Sequence, residues 1–374
     1  MHPRFLRFIL SLSGLLAIYT ASAQDSTAMQ GFGIEANLLS GRIIRHKITA
    51  PIPQMSSALD VNFVWQTYGN KDWQQRRNFP MIGIGITGTD YGNSQVFGYC
   101  LGIYPNLQIP LIRSKNLEWT FRLGDGLGYV TRKYQTTAPV DTLNTAIGSH
   151  LNDFAIFMTD LRYSADDHWQ FQFGANFTHI SDADYHQPNL GINMAGLHFG
   201  VRYFPVSYRP DRIVRQLPKL KNQWLVAVRQ SISYKEARTP GGPELPTYIT
   251  AAYVSRRWLS KNKLYLGADY AFHNDTYEEL KYWGFTWNNR AHAWDGAIFA
   301  GNEFLVGRLG LITQVGVYYK QTYLKNDPVY EKIGGNFYIF KKETGPLKEL
   351  FLSAILLTHG IVAELSEFGI GAGF

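Results

Sequence analysis

Short segments in which apolar and polar residues alternate run along the chain from residue 30 to its end. Stretches rich in turn-forming residues separate one segment from the next. Helical periodicity is not sustained anywhere, so the pattern predicts an all-β protein. The alternating segments are 30–44, 56–67, 79–89, 95–108, 116–134, 152–163, 168–181, 192–204, 222–234, 247–258, 262–273, 291–302, 306–319, 331–342 and the stretch from Leu350 to the end.

Such alternation fits either a soluble β-sandwich or a transmembrane β-barrel. Three features favour the barrel: short and long breaks alternate along the chain, Trp and Tyr cluster near predicted strand ends, and the last strand ends in FGIGAGF with a terminal aromatic residue. We therefore expect a transmembrane antiparallel β-barrel of about 14 strands, within a range of about 12 to 16.

The chain begins with a basic segment, MHPRFLRF, followed by the apolar run ILSLSGLLAIYT and the small residues Ala21-Ser22-Ala23. That order predicts a signal peptide over residues 1–23 and export to the outer membrane of a Gram-negative cell. Residues 24–374 are then expected to form a single barrel domain. The only candidate boundary is the link Pro205–Asn222, which we interpret as a long periplasmic turn.

Composition excludes several other classes. The 374 residues are 15% aromatic and 17% charged, with a mean hydropathy of −0.18. The net charge of +7 lies mainly in predicted turns and not on one face, so no nucleic-acid partner is expected. The lone Cys100 cannot form an intramolecular disulfide. No zinc, nucleotide or dinucleotide motif occurs, so no cofactor or metal is expected.

The segment 169–181 breaks its own pattern at one end. Its apolar face continues Phe171, Phe173, Ala175 and Phe177 into His179 and Ser181. In a barrel this face meets lipid. By the same parity Asn193 of the next segment points outward, beside His179 if the two strands form a hairpin. Polar side chains facing lipid cost free energy and need an explanation. A hydrolytic site for a lipid supplies one, with Ser as nucleophile and His as base.

At this point H-x-S, followed by PNLGIN and a strand ending in GVRYF, resembles the PagL-type lipid A 3-O-deacylases of the acyloxyacyl hydrolase family. The resemblance implies an outer-membrane barrel that cleaves an ester-linked acyl chain from lipopolysaccharide at a membrane-facing site. It further implies that His179 is the base, Ser181 the nucleophile and Asn189 an oxyanion-stabilising residue. Gly191 would allow a tight approach of the loop.

Two positions depart from the family. The third catalytic residue of the family is Glu, at the position of Asn193 here, and the Asn that usually follows the Ser is Asp182. Asn193 can hold the imidazole but cannot stabilise an imidazolium as a carboxylate does. Another acid could replace the missing Glu, and the candidates are Asp182, Asp184, Glu364 and Glu367.

A non-catalytic alternative stays open beside the enzyme: a porin-like or structural barrel that keeps a degraded motif, for which Asn193 is the main support. A secreted soluble β-sandwich lectin is a third interpretation. His359 and Glu364 invite a metal-site hypothesis, but on a single strand they point to opposite faces, so we interpret them as structural.

Overall fold

The computed structural model describes residues 29–45, 47–207, 212–236, 240–258, 261–285, 289–323, 325, 327–360 and 362–374. The predicted signal peptide, residues 1–23, lies outside these ranges. The strands are β1 (Phe32–Ile43), β2 (Ser56–Gln66), β3 (Met81–Asp90), β4 (Tyr99–Arg113), β5 (Leu117–Val130), β6 (Leu151–Ser164), β7 (Trp169–Ser181), β8 (Ile192–Tyr203), β9 (Trp224–Glu236), β10 (Glu244–Trp258), β11 (Asn262–His273), β12 (Trp294–Val306), β13 (Leu309–Lys320), β14 (Val329–Lys341), β15 (Glu349–His359) and β16 (Val362–Gly373).

These strands form two closed antiparallel barrels, barrel 1 from β1–β8 and barrel 2 from β9–β16. Barrel 1 closes where β1 pairs with β8, with Ile34 opposite Tyr203. Barrel 2 closes where β16 pairs with β9, with Phe368 opposite Ile232. The expected all-β fold is therefore confirmed. In place of one barrel of about 14 strands over residues 24–374, the chain builds two barrels of eight strands each.

The physical reason for this correction is that alternation reports which face a residue lies on and not which strand its neighbour pairs with. The link from Pro205 to Asn222, interpreted from sequence as a turn within one barrel, instead connects the two. The stretch from Leu350 to the end, counted as one segment, holds both β15 and β16 with a tight turn at Gly360 between them.

Outward positions on both barrels are largely apolar. The outside of each barrel is therefore apolar, which is the pattern typical of strands that face lipid. Exposed outward side chains include Ile82, Ile84, Leu101, Ile103, Trp119, Leu161, Phe171, Phe173, Leu197 and Phe199 on barrel 1, and Val226, Val254, Leu266, Ile298, Val315, Ile333, Leu352 and Ile370 on barrel 2.

The lumen of barrel 1 is filled by buried charged side chains. Arg122 donates to Asp60 at 2.9 Å and also to Glu35, which Arg202 binds through Nε at 2.8 Å. His198 Nε2 lies 2.6 Å from Asp160 Oδ1. Buried charges are tolerated when they are paired and hydrogen-bonded. The inner positions of the strands therefore form a polar core.

The lumen of barrel 2 is filled in the same way. Lys332 lies 2.9 Å from Asp269 and 3.0 Å from Glu367, and Lys263 lies 3.0 Å from Glu303 and 2.8 Å from Glu349. Side chains thus occupy the interior of both barrels.

Connections differ at the two ends of the barrels. Ser181 lies at what we call the site end, which carries the connections 44–55, 91–98, 131–150 and 182–191 of barrel 1 and 237–243, 274–293, 321–328 and 360–361 of barrel 2. Among the described residues, three helices lie in connections: α1 (Asp72–Arg76) at the opposite end, and α2 (Asn274–Tyr282) and α3 (Asn289–His292) at the site end. None of the helices in the described ranges is long and apolar enough to cross a membrane.

The barrels contact each other at the opposite end through Arg77, which follows α1. Its side chain donates to the carbonyl of Leu305 through Nε at 2.9 Å and to that of Lys261 through Nη2 at 2.6 Å. The guanidinium also lies 3.4 Å from the centre of the Phe304 ring. Arg77 is almost fully buried, and its contacts join barrel 1 to barrel 2 at this end.

Candidate active site

The site is built where β7 and β8 pair at the site end. In the register of this hairpin His179 lies directly opposite Asn193, and Ile180 lies opposite Ile192. Ile180 and Ile192 are buried in the lumen, so His179 and Asn193 point outward, as the parity of the sequence predicts. Below them on the same face, Phe171 and Phe173 are 41% and 54% exposed. The structure therefore places the three polar residues at the end of an apolar outer stripe.

A chain of hydrogen bonds connects the three side chains. His179 Nε2 lies 2.8 Å from Ser181 Oγ, and His179 Nδ1 lies 2.7 Å from Asn193 Oδ1. Because Asn193 Oδ1 can only accept, Nδ1 must carry the proton, which leaves Nε2 free to accept from the Ser181 hydroxyl. This is the tautomer in which a histidine can act as a base toward a serine.

Asn189 and Gly191 border this chain from the loop between β7 and β8. Gly191 has φ +70°, and a Cβ added there would lie 3.0 Å from His179 Cε1 and 3.4 Å from Ser181 Cβ. Asn189 Oδ1 accepts from the main-chain N–H of Asp182 at 3.4 Å, while its buried Nδ2 has no partner within the described part of the protein. An unused amide donor thus lies in the loop that closes over the serine.

Asp182 shapes the loop and does not reach His179. Its Oδ2 accepts from the main-chain N–H of His186 at 3.2 Å and lies 3.2 Å from His186 Nδ1. Burial raises the pKa of Asp182 above its ordinary value, although the nearby Ser149 hydroxyl and His186 act in the opposite direction. Asp182 is therefore a loop-building side chain.

The other candidate acids also have different partners. Asp184 lies 2.5 Å from Lys235 Nζ. Glu364 binds His359 and Lys325 in barrel 2, and Glu367 faces the lumen of that barrel beside Arg229 and Lys332. Asn193 is accordingly the side chain that holds the His179 ring. His359 and Glu364 lie on two strands joined by a turn, not on one strand, and their side chains meet at 2.6 Å.

The connection 131–150 supports the loop from the other side. The main-chain N–H of Leu190 donates to Thr145 at 3.3 Å, and that of Gly191 donates to Ala146 at 2.9 Å. A Cβ at Gly148 would lie 2.7 Å from the carbonyl oxygen of His186, so only glycine allows this approach. Two loops of barrel 1 therefore pack together over the site.

Two acids that were not among the predicted site residues lie beside the site. Asp153 of β6 lies directly opposite Ser181 of β7, and Asp125 of β5 lies opposite Ala155, which in turn faces His179. Both aspartates point outward and contact each other. The available signal was the same parity break that singled out His179, because Asp153 and Asp125 occupy apolar-face positions of their strands.

A cleft of about 740 Å³ opens between the loop and barrel 2. One wall comes from the loop, including Asn189 and Leu190, and the other from the site ends of β14, β15 and β16. Its lining mixes Lys and carboxylate side chains with main-chain groups. No group of three or more His, Cys, Asp or Glu side chains in the described ranges is arranged to hold a metal ion.

Comparison with known proteins follows the division into two barrels. Residues 57–202 match the family model of the lipid A 3-O-deacylases (PagL), and residues 224–374 match that of the acyloxyacyl hydrolase C-terminal domain. No curated protein matches the chain in sequence.

Solved outer-membrane barrels give distant structural matches, and these carry no argument about function. Neisserial surface protein A is 9% identical, with 47% of this chain and 97% of that chain covered and a TM-score of 0.34. The outer-membrane enzyme PagL is 16% identical, with 44% and 97% covered and a TM-score of 0.30. A Rhodopseudomonas blastica porin variant is 8% identical, with 92% and 99% covered and a TM-score of 0.18. On the two sequence matches, this chain belongs to the PagL-type lipid A 3-O-deacylase and acyloxyacyl hydrolase family.

Proposed function

We propose that the protein is an outer-membrane serine esterase that removes an ester-linked acyl chain from lipid A of lipopolysaccharide. The observation that carries the proposal is the hydrogen-bonded order Ser181–His179–Asn193 on the outer surface of the barrel. A site on that surface can meet an acyl ester without removing the lipid from the membrane. The family's name supplies the substrate class.

In the acylation step Ser181 Oγ attacks the carbonyl carbon of the ester while its proton passes to His179 Nε2. The tetrahedral intermediate collapses, the bond from the carbonyl carbon to the sugar oxygen breaks, and His179 returns the proton to that oxygen. Water then attacks the acyl-enzyme with His179 again as base, and the fatty acid leaves. Asn193 accepts from Nδ1 throughout and keeps the ring in the required tautomer.

The oxyanion needs donors close to Ser181, and Asn189 supplies one. Its Nδ2 is buried and has no partner within the described chain, and its orientation is fixed because Oδ1 accepts from Asp182 N–H. Donors that are fixed before the reaction stabilise developing charge at little reorganisation cost. Gly191 permits the loop to lie against His179, and the bond from Asp182 N–H holds Asn189 beside the residue that follows Ser181.

The site end is the extracellular side if the strand ends with short turns face the periplasm, as in bacterial outer-membrane barrels. Lipopolysaccharide occupies the outer leaflet, so this orientation brings the acyl chains of the substrate alongside Phe171 and Phe173. The filled lumens of both barrels speak against the porin-like alternative. The bond from His179 to Asn193 speaks against a degraded site.

Mass spectrometry of lipid A tests the proposal. Cells expressing the wild type are expected to lose one acyl chain from lipid A, and cells expressing Ser181→Ala to keep it. Ser40→Ala is the matched control, because Ser40 is another outward serine of barrel 1. An identical lipid A profile with wild type and Ser181→Ala would refute the proposal.

A further inference from the structure

The loop 182–191 is bonded to barrel 2 as well as to barrel 1. The main-chain N–H of Glu236, the last residue of β9, donates to the carbonyl of Tyr185 at 2.9 Å. In return the main-chain N–H of Gln187 donates to Glu236 Oε2 at 2.5 Å. The Tyr185 hydroxyl adds a bond to Glu244 Oε2 at the start of β10, also at 2.5 Å. The loop of one barrel is thus tied to a strand end of the other.

Backbone conformation shows why the loop needs this support. Ala183 and Asp184 have φ +55° and +67°, in the left-handed region that costs free energy for residues other than glycine. Asp184 lies 2.5 Å from Lys235 of β9, and both side chains are mostly buried. The strained part of the loop is therefore the part that barrel 2 holds.

Glu236 is the centre of the contact between the loop 182–191 and barrel 2, which we call the joint. It is 5% exposed, and its two carboxylate oxygens have separate tasks: Oε2 accepts from Gln187 and Oε1 accepts from the main-chain N–H of Gly241 at 2.6 Å. Charge-assisted bonds to main-chain N–H groups are short and directional. One buried side chain therefore fixes the loop of barrel 1 relative to the β9–β10 connection.

We infer that Glu236 is a positioning residue for catalysis and that barrel 2 serves to hold the loop 182–191 of barrel 1. Gln187, which Glu236 binds, is two residues before Asn189, and Asn189 carries the unpartnered donor. The catalytic consequence of this inference rests on the proposed function. The hydrogen bonds between Glu236 and the loop 182–191 can also be probed without any substrate.

Arg77 offers a matched control, because it joins the same two barrels at the opposite end without touching the loop. In Glu236→Leu the side chain keeps a similar volume and loses both acceptors. In Glu236→Gln one carboxamide oxygen can still accept. Arg77→Ala loosens the pairing of the barrels at the end away from the site.

The first measurement is deacylation of purified lipopolysaccharide in detergent by the full-length variants. We expect kcat to fall about 10- to 100-fold in Glu236→Leu with KM changed less than about threefold, because misplacing a catalytic group by about 1 Å costs that much. Glu236→Gln is expected between wild type and Glu236→Leu, and Arg77→Ala close to wild type. Wild-type kcat in a folded Glu236→Leu, or equal losses in Glu236→Leu and Arg77→Ala, would overturn the inference.

The second measurement is amide hydrogen exchange of a peptide covering 182–191, which requires no substrate. Exchange is expected to be faster in Glu236→Leu than in wild type and unchanged in Arg77→Ala. Unchanged exchange in Glu236→Leu would overturn the inference. If lipid A is not deacylated by the wild type but the exchange differs as expected, the proposed function fails and the structural joint stands.

Discussion

The seventh strand of each barrel carries one histidine at or near its end, and the two histidines have different hydrogen-bond partners. In barrel 1 the His179 ring has Asn193 on Nδ1 and the Ser181 hydroxyl on Nε2. In barrel 2 His359 ends β15 with the carbonyl of Val329 on Nδ1 at 2.9 Å and Glu364 on Nε2 at 2.6 Å. The histidine of barrel 1 therefore has a nucleophile as partner and, among the described residues, no acid hydrogen-bonded to its ring. The histidine of barrel 2 has an acid as partner and, among the described residues, no nucleophile on its ring.

The connections that follow these histidines differ as well. Residues 182–191 separate β7 from β8, whereas residues 360–361 separate β15 from β16. A short turn cannot carry an oxyanion donor back over the strand end, and a longer loop can. These differences support the proposal that barrel 1 carries the catalytic site and that barrel 2 contributes by contact.

The largest expected effect tests that proposal directly. His179→Ala should lower the rate of lipid A deacylation by at least about 10³-fold, because the serine loses its base. His359→Ala should leave the rate within about twofold. The measurement is release of fatty acid from purified lipopolysaccharide. A comparable loss in His359→Ala would show that barrel 2 has a chemical role and would break the comparison.

Removal of the loop donor comes next. Asn189→Ala should reduce kcat by about 10²- to 10³-fold, as the loss of one oxyanion donor does elsewhere, with little change in KM. Asn93→Ala, in another connection at the site end, serves as control and should retain full activity. An Asn189→Ala enzyme with normal kcat would leave the long loop without its proposed purpose.

The sequence predicted one part of this picture well and another not at all. Strand parity placed His179, Ser181 and Asn193 together because side-chain direction along a strand is a local property. Closure into two barrels depends on which strands pair across the chain, so counting segments could not show it. The contacts of Glu236 with loop 182–191 depend on how the barrels stand side by side. Asp125 and Asp153 also break the parity of their strands, and this break is visible in the sequence.

A smaller effect is expected when barrel 1 is given the acid that barrel 2 has. Asn193→Glu should raise kcat by up to about tenfold, because a carboxylate stabilises the imidazolium formed when His179 takes the proton. Asn193→Ala should lower kcat about 100-fold, since the ring loses its orienting acceptor. Fatty-acid release at saturating substrate is the measurement. If Asn193→Glu is as slow as Asn193→Ala, the missing charge is not what limits the enzyme.

The smallest effect concerns Asp182, which lies where the longer loop of barrel 1 leaves the strand. Burial raises its pKa, so the folded loop binds the proton more tightly than the unfolded chain does. The contribution of Asp182 to the stability of the folded loop is therefore largest below the pKa of the unfolded chain, about 3.9. This contribution is lost as pH rises through the raised pKa of the folded loop. Asn carries no charge that burial could penalise. Asp182→Asn should thus increase activity relative to wild type by about twofold at pH 8 and less at pH 4.5.

Asp72→Asn is the control for this change, because Asp72 is an exposed acid in α1 at the opposite end. It removes the same charge from the protein without touching the loop. The ratio of variant to wild-type activity, measured at both pH values, should therefore stay constant for Asp72→Asn and rise with pH for Asp182→Asn. A ratio for Asp182→Asn that falls with pH would mean that the ionised carboxylate, through its bond to His186 N–H, stabilises the loop more than burial penalises it.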